Sequence, residues 1–138
     1  MKTRIDIRSQ KGQTMAEFVM IAPIFLLLVF GIIQFGVLFN NYVALTDAVR
    51  VGARQAAVSR TLPSPSSVAT SRVIAAADHL DTDQLDVTVT PYDPNTGSAD
   101  WVQGGDVTVK ATYPYSISLL GLVVKSGRFT SQTTERVE

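Results

Sequence analysis

Residues 18–39 read FVMIAPIFLLLVFGIIQFGVLF and contain no charged side chain. A helix of this length is roughly 33 Å long at about 1.5 Å per residue, enough to cross a hydrocarbon core of about 30 Å. Its apolar side chains surround the axis instead of forming one stripe, which fits lipid or a packed bundle and not a surface helix. A membrane span is therefore expected, and the rest of the chain is placed relative to it.

Upstream, residues 1–12 carry Lys2, Arg4, Arg8 and Lys11 against Asp6, a local charge of +3, and downstream no basic residue appears before Arg50. Basic flanks stay on the cytoplasmic side, so the chain beyond Phe39 is expected to be exported. A secretory signal has a shorter apolar region of about 7–15 residues followed by a small-residue cleavage site. Here the span runs on into residues 40–58, NNYVALTDAVRVGARQAAV. Tyr42, Leu45, Val49, Ala53 and Ala56 recur there at helical spacing, with Asn40, Asp47, Arg50 and Arg54 opposite them. One helix from about Gln13 to Val58 is predicted, roughly 70 Å long. Gly52 should weaken it slightly, and TLPSPSS at residues 61–67 should end it.

Ser64 and Pro65 offer an N-cap and a first-turn proline, so a second helix is predicted over residues 65–79, with Val68, Val73, Ile74, Ala77 and Leu80 on its buried side. Residues 85–90 and 106–113 alternate apolar and polar as strands do, and residues 128–137 make a third, more polar candidate suited to an edge. Residues 92–105 read as a turn-rich loop, and residues 114–127 as a connection that includes an apolar run at 117–124. The expected fold class is α+β: a long N-terminal helix, then a small domain with a second helix and a three-stranded antiparallel sheet. The expected divisions are a cytoplasmic basic leader, 1–12; the long helix, 13–59, with its span at 18–39; and an exported domain, 60–138. About 80 residues make a thin core by themselves, so the sheet is expected to pack on both the second helix and the exposed half of the first.

Composition narrows the function classes. The 138 residues are 46% hydrophobic and 17% charged, with a formal net charge of zero, one histidine and no cysteine. Without a basic surplus there is no case for nucleic-acid binding, and without cysteine there is no disulfide, thiol nucleophile or thiolate metal site. His79 has no acid–base partner implied nearby, which favours a structural or surface role. Asp93, Asn95, Ser98 and Asp100 loosely resemble a calcium loop, but an EF-hand needs a glycine at its sixth position and a bidentate glutamate at its twelfth. Asx turns account for the same residues. Trp101 is read as a partly buried anchor of that loop in preference to an exposed adhesive aromatic. No catalytic residue, cofactor or metal is expected, and the chain does not read as an enzyme.

The informative motif is KGQTMAEF, residues 11–18, where the leader meets the span. Glu17 is an ionisable group at the edge of an apolar segment, a costly place without a partner. Two readings stand on the residues alone. Gly12 can be a flexible joint and Glu17 an ordinary first-turn acid favoured by the helix dipole. Alternatively, a peptidase cuts after Gly12 and frees the α-amine of Gln13 four residues before Glu17, giving a cation and a carboxylate that can pair within a chain or between neighbours. Pro23 lacks the amide that would donate to the Val19 carbonyl and should kink or loosen the helix. Gln34, alone and polar in the span, is expected to bond a neighbouring helix or a backbone carbonyl.

The order of basic leader, glycine, four residues, glutamate and apolar helix resembles the type IV pilin superfamily. Within it, GQTMAEFVMIAP and the long helix look most like the TadE-like minor pilins, or pseudopilins, of tight-adherence pilus systems. The Glu17–Phe18 pair resembles the Glu-Tyr pair of the small major pilins of those systems. The resemblance is strong across residues 11–60, weaker across the C-terminal 25 residues, whose TYPY-to-ERVE tail also looks TadE-like, and absent across 61–105. It implies cleavage between Gly12 and Gln13 by a membrane-embedded prepilin peptidase. It further implies a filament whose partners are other pilin subunits and the pilus assembly platform, with Glu17, Phe18 and Pro23 serving assembly. The chain would sit first in the cell membrane and then in the pilus at the cell surface. The alternative is an uncleaved single-span envelope protein whose exported domain binds a partner or ligand.

Overall fold

The computed structural model describes residues 7–119 and 121–138, with side chains from residue 12 onward; residues 1–6 of the predicted leader lie outside the described residues. Helix α1 spans Ile7–Ala57 and α2 spans Pro65–Ala76. A short 3-10 turn at Thr82–Gln84 then leads into strands β1 (Asp86–Tyr92), β2 (Asp106–Leu119) and β3 (Leu122–Arg136). The strands form one antiparallel sheet in the order β1-β2-β3. The fold is α+β, with the predicted long apolar helix, second helix and three-stranded sheet, and the polar β3 lies at an edge.

Helix α1 has two environments. Through the span its large apolar side chains are exposed, from Phe18 at 66% to Phe39 at 58%. Above Tyr42 burial becomes one-sided: Leu45, Ala48, Val49, Ala53 and Ala56 are fully buried, while Asp47, Arg50 and Arg54 stay outside. Those residues pack with Ala69 and Val73 of α2 and with Val107, Val109 and Ala111 on one face of β2. Val87, Val89, Trp101 and Phe129 flank this core, so Trp101 does anchor its loop as a partly buried side chain. The opposite sheet face is polar, and Thr108 and Thr134 share a cross-strand hydrogen bond of 2.8 Å. The chain's last residues close the layers: the Glu138 amide donates to the Ala57 carbonyl at 2.9 Å and the Arg60 Nε to the Glu138 carbonyl at 3.2 Å. The first of these satisfies a carbonyl that the end of α1 would otherwise leave unpaired.

Several expectations are corrected. Helix α1 starts at Ile7 and not near Gln13, so Gly12 lies inside it. Tyr42, expected inside, is 42% exposed and contacts the Phe129 ring edge-on. Helix α2 ends at Ala76 and not at His79, because the Ala77 amide turns back onto the Val73 and Ile74 carbonyls and the chain tightens to bury Leu80. Ile74 is exposed and Ala69 takes its place inside. The apolar run at 117–124, read as part of a connection, is instead paired strand. Leu119 faces Leu122 across a tight turn in which Gly121 has φ +84°, a conformation glycine adopts without a Cβ penalty. Pro114 does not end β2, because it lies beyond Thr112, the last residue of β2 in register with β1, where one side is an open edge and a missing donor is tolerated.

Gly52 has a different role from the one its propensity indicates. A Cβ at this position would overlap Val73 Cγ2 and touch the Ala69 carbonyl of α2 at 3.4 Å, so any larger residue here forces Val73 or the α1–α2 crossing to shift. Asp93 is 6% exposed and accepts from the Asn95 amide at 2.9 Å, from Asn95 Nδ2 at 3.1 Å and from Thr96 Oγ1 at 2.9 Å. These Asx-turn bonds, led by that from the Asn95 amide, lower the Asp93 pKa from the ordinary carboxylate value.

Gly52→Ala is expected to destabilise the folded domain despite a helix-propensity gain of about 1 kcal/mol, because overpacking costs about 1–3 kcal/mol. A lower urea midpoint in detergent, with α1 still helical by circular dichroism, checks this. Because folding depresses the Asp93 pKa, its contribution is present above the unfolded value and disappears as pH falls through the folded one. The thermal midpoints of the unsubstituted protein and Asp93→Asn should therefore differ at pH 7 and converge in acid below about pH 4, as calorimetry across that range would read.

Candidate assembly site

Gly12, Gln13, Glu17, Phe18 and Pro23 all lie on the first turns of α1 and are exposed, with no other described element packed on them. Glu17 falls one helical turn above Gln13, on the same face, and the Gln13 Nε2 donates to Glu17 Oε1 at 3.1 Å. Both side chains are exposed. Phe18 points away from any partner of its own chain at 66% exposure. Pro23 is accommodated without a break, since α1 continues through it; the turn above Val19 still lacks one amide donor. Structure therefore brings Gln13 and Glu17 together and leaves Phe18 and Pro23 as separate features of the same rod.

Distance isolates this site from the folded domain. Glu17 and Leu45, the first fully buried residue of α1, are separated by roughly 42 Å at the α-helical rise. A carboxylate so placed can meet an ionic partner only from outside the described domain. The helical state of Gly12 adds a second condition. A peptidase that takes an extended substrate must unwind the helix around the Gly12–Gln13 bond, and glycine makes that easier by about 1 kcal/mol relative to alanine. A Cβ at Gly12 would meet nothing within 4 Å, so side chains there do not disturb the fold.

Other residues singled out earlier are accounted for locally. His79 Nε2 lies 3.7 Å from Asp78 Oδ1 with both side chains largely exposed, a surface position. The residues from Asp93 to Asp100 form a hydrogen-bonded Asx turn closed by Gly97 at φ +72°. Gln34 faces a cleft between α1 and the β2–β3 hairpin that also includes Leu38, Tyr115 and Ser126. Sequence reading missed the aromatic group that fastens this hairpin to α1. Phe129 stacks on Tyr115 at 4.6 Å and meets Tyr42 edge-on at 5.6 Å. The alternation of Tyr113, Tyr115, Ile117 and Leu119 with Pro114, Ser116 and Ser118 before Gly121 was the signal available for it.

Residues 12–54 match the family model described as TadE-like protein. No curated protein and no solved structure matches. The matched segment begins at Gly12, takes in Glu17, Pro23 and the whole apolar run, and ends where α1 is already packed in the folded domain. Over this segment the chain is similar to a structural, non-enzymatic family associated with the tight-adherence pilus. Helix α1 is long and apolar enough to cross a membrane by length and composition.

Proposed function

We propose that the chain is a minor pilin or pseudopilin of a tight-adherence type IV pilus, processed after Gly12 and assembled through the exposed apolar part of α1. The observation that carries this reading is the position of Gly12 and Glu17 between a basic leader and a charge-free span, in a segment similar to TadE-like proteins from Gly12 onward. Prepilin peptidase, other pilin subunits and the assembly platform are the partners it requires. The cell membrane and then the pilus are its locations.

Charge and geometry supply the mechanism. Loss of residues 1–12 removes four basic residues and one acid, leaving eight basic and eleven acidic residues, a net −3 before the new amine is counted. The cytoplasmic anchor charge is gone, and the helix is free to move outward into a bundle of similar apolar helices. Glu17 is tolerated there only against a cation, and the amine freed on Gln13 of the same or a neighbouring subunit provides one. The present Gln13–Glu17 contact involves one carboxylate oxygen, Oε1, and leaves Oε2 for that amine. Such a pair fixes axial register, as a lone buried polar group does in coiled coils. Pro23 gives the rod a place to bend as it leaves the bilayer.

Intact mass of the protein from its native membrane should show loss of residues 1–12, and Gly12→Leu should retain them while folding normally. A chain that keeps its leader beside an active prepilin peptidase would favour the uncleaved anchor instead. A pyroglutamate at Gln13 in assembled material would remove the proposed cation and count against the pairing.

Glu17→Ala and Glu17→Gln are expected to be cleaved and to reach normal membrane levels, yet to be depleted from fibres. Removing one member of a buried ion pair costs about 3–5 kcal/mol. Quantifying leader removal, membrane level and fibre content in the same cells checks this, and normal fibre content in both variants would make Glu17 an ordinary interfacial acid.

A further inference from the structure

The β2–β3 hairpin is not finished by its own chain. Leu122, Val123 and Val124 are 75%, 65% and 63% exposed, and consecutive strand residues point to opposite faces, so both faces of the tip are apolar. A hairpin that served only to cover the core would have one polar face. Exposed runs of three or more apolar residues call for a functional reason.

The direction of the hairpin supplies one. Glu138 bonds Ala57 at the top of α1, Phe129 meets Tyr42 lower down, and Ser126 lies across the cleft from Gln34 lower still. The hairpin therefore follows α1 toward its N-terminus. At Gln34 it is already about five residues below Phe39, where the charge-free stretch ends. Leu122 lies about 13 Å further along the strand from Ser126 at roughly 3.3 Å per residue. A bilayer covering residues 18–39 would submerge that hairpin, including the open edges of a two-stranded ribbon, and unpaired backbone edges are excluded from hydrocarbon.

One placement reconciles these constraints. We propose that α1 leaves the membrane near Gln34 and not at Phe39, and that the hairpin tip around Leu122–Val124 is a second membrane contact, seated in the headgroup and upper acyl region of the exported-side leaflet. The tip then lies at most about 13 Å below the boundary, in place of about 20 Å for a boundary at Phe39, which keeps the ribbon within the outer half of a hydrocarbon core of about 30 Å. Above the apolar tip come Lys125 opposite Ile117, Tyr115 opposite Gly127 and Arg128 opposite Pro114, so basic and aromatic side chains occupy the level at which both meet a lipid interface. The cations complement anionic headgroups, and Gln34, Ser116 and Ser126 line the cleft at the same level. The span that remains below Gln34 is still long enough to cross, since about 17 residues suffice. This inference rests on the membrane-spanning reading of α1 and is independent of pilus assembly.

The absence of cysteine from the sequence makes the test direct. The full chain carrying Leu27→Cys, Thr88→Cys or Leu122→Cys is labelled with an environment-sensitive fluorophore and reconstituted into vesicles of phosphatidylcholine and phosphatidylglycerol. Nitroxide lipids labelled near the headgroup or near the chain end serve as quenchers. The Leu122 label is expected to emit blue-shifted and to lose intensity chiefly to the shallow quencher, the Leu27 label chiefly to the deep one, and the Thr88 label to neither. A water-exposed, unquenched Leu122 label beside a quenched Leu27 label overturns the proposal and leaves the span intact. An unquenched Leu27 label overturns the span itself, and the proposal with it. A Leu122 blue shift that vanishes on dilution with lipid identifies a second copy as the occupant and also overturns the proposal.

Discussion

A single helix serving two solvents is the constraint on which this molecule depends. Below Gln34, α1 exposes Phe, Leu and Ile on all sides, and among the described residues nothing buries this surface. Above Tyr42 the same helix becomes one-sided, and Leu45, Val49, Ala53 and Ala56 supply a large part of the core of the folded domain. Neither half is replaceable by the other. Water would strip the lower half of its environment, and a bilayer would leave Asp47, Arg50 and Arg54 without one. The domain is accordingly not a module hung on an anchor, because the anchor's upper turns are its central layer.

That dependence explains the small side chains where α1 meets α2. Gly52, beside the buried Ala48, Ala53 and Ala56, lets the second helix approach closely enough for Val73 to fill the space over it. Read as a helix-breaking tendency, Gly52 is a local weakness; read in the packed structure, it is the point at which two backbones are allowed to close. A propensity scale registers only the first of these, since it contains no information about what lies opposite.

Legibility followed the same division. The span, the amphipathic continuation and the first two strands were readable because each rests on periodicity within a short window. The hairpin beyond Tyr113 was not. Pro114 reads as a terminator in isolation, and its acceptance depends on β1 ending opposite Thr112, a fact of topology. The end of α2 likewise depends on Leu80 having a place in the core. For the candidate site, Gln13 and Glu17 were paired by spacing alone and the structure adds their side-chain contact; the helical state of Gly12 was hidden because glycine beside a basic leader resembles a joint. Tyr42, Tyr115 and Phe129 meet only after the hairpin folds down along α1, and no local window contains all three.

The rigid attachment of the sheet to α1 has a consequence for how position is transmitted. From Glu17 to the first buried core residue, Leu45, the chain is uninterrupted helix of roughly 42 Å. In the proposed filament, an axial register set at Glu17 is therefore delivered to the exported domain as a fixed offset. Pro23 is the one position between them with a missing backbone donor, so it is where that offset can relax. The hairpin adds a second constraint from the opposite end, because its tip and the upper span contact the same leaflet. Moving α1 outward along its axis must withdraw the tip as well, so leaving the membrane exposes about two apolar surfaces together instead of one. Loss of lipid contact at both favours their joint burial against neighbouring helices, which makes extraction and subunit packing a single coupled step.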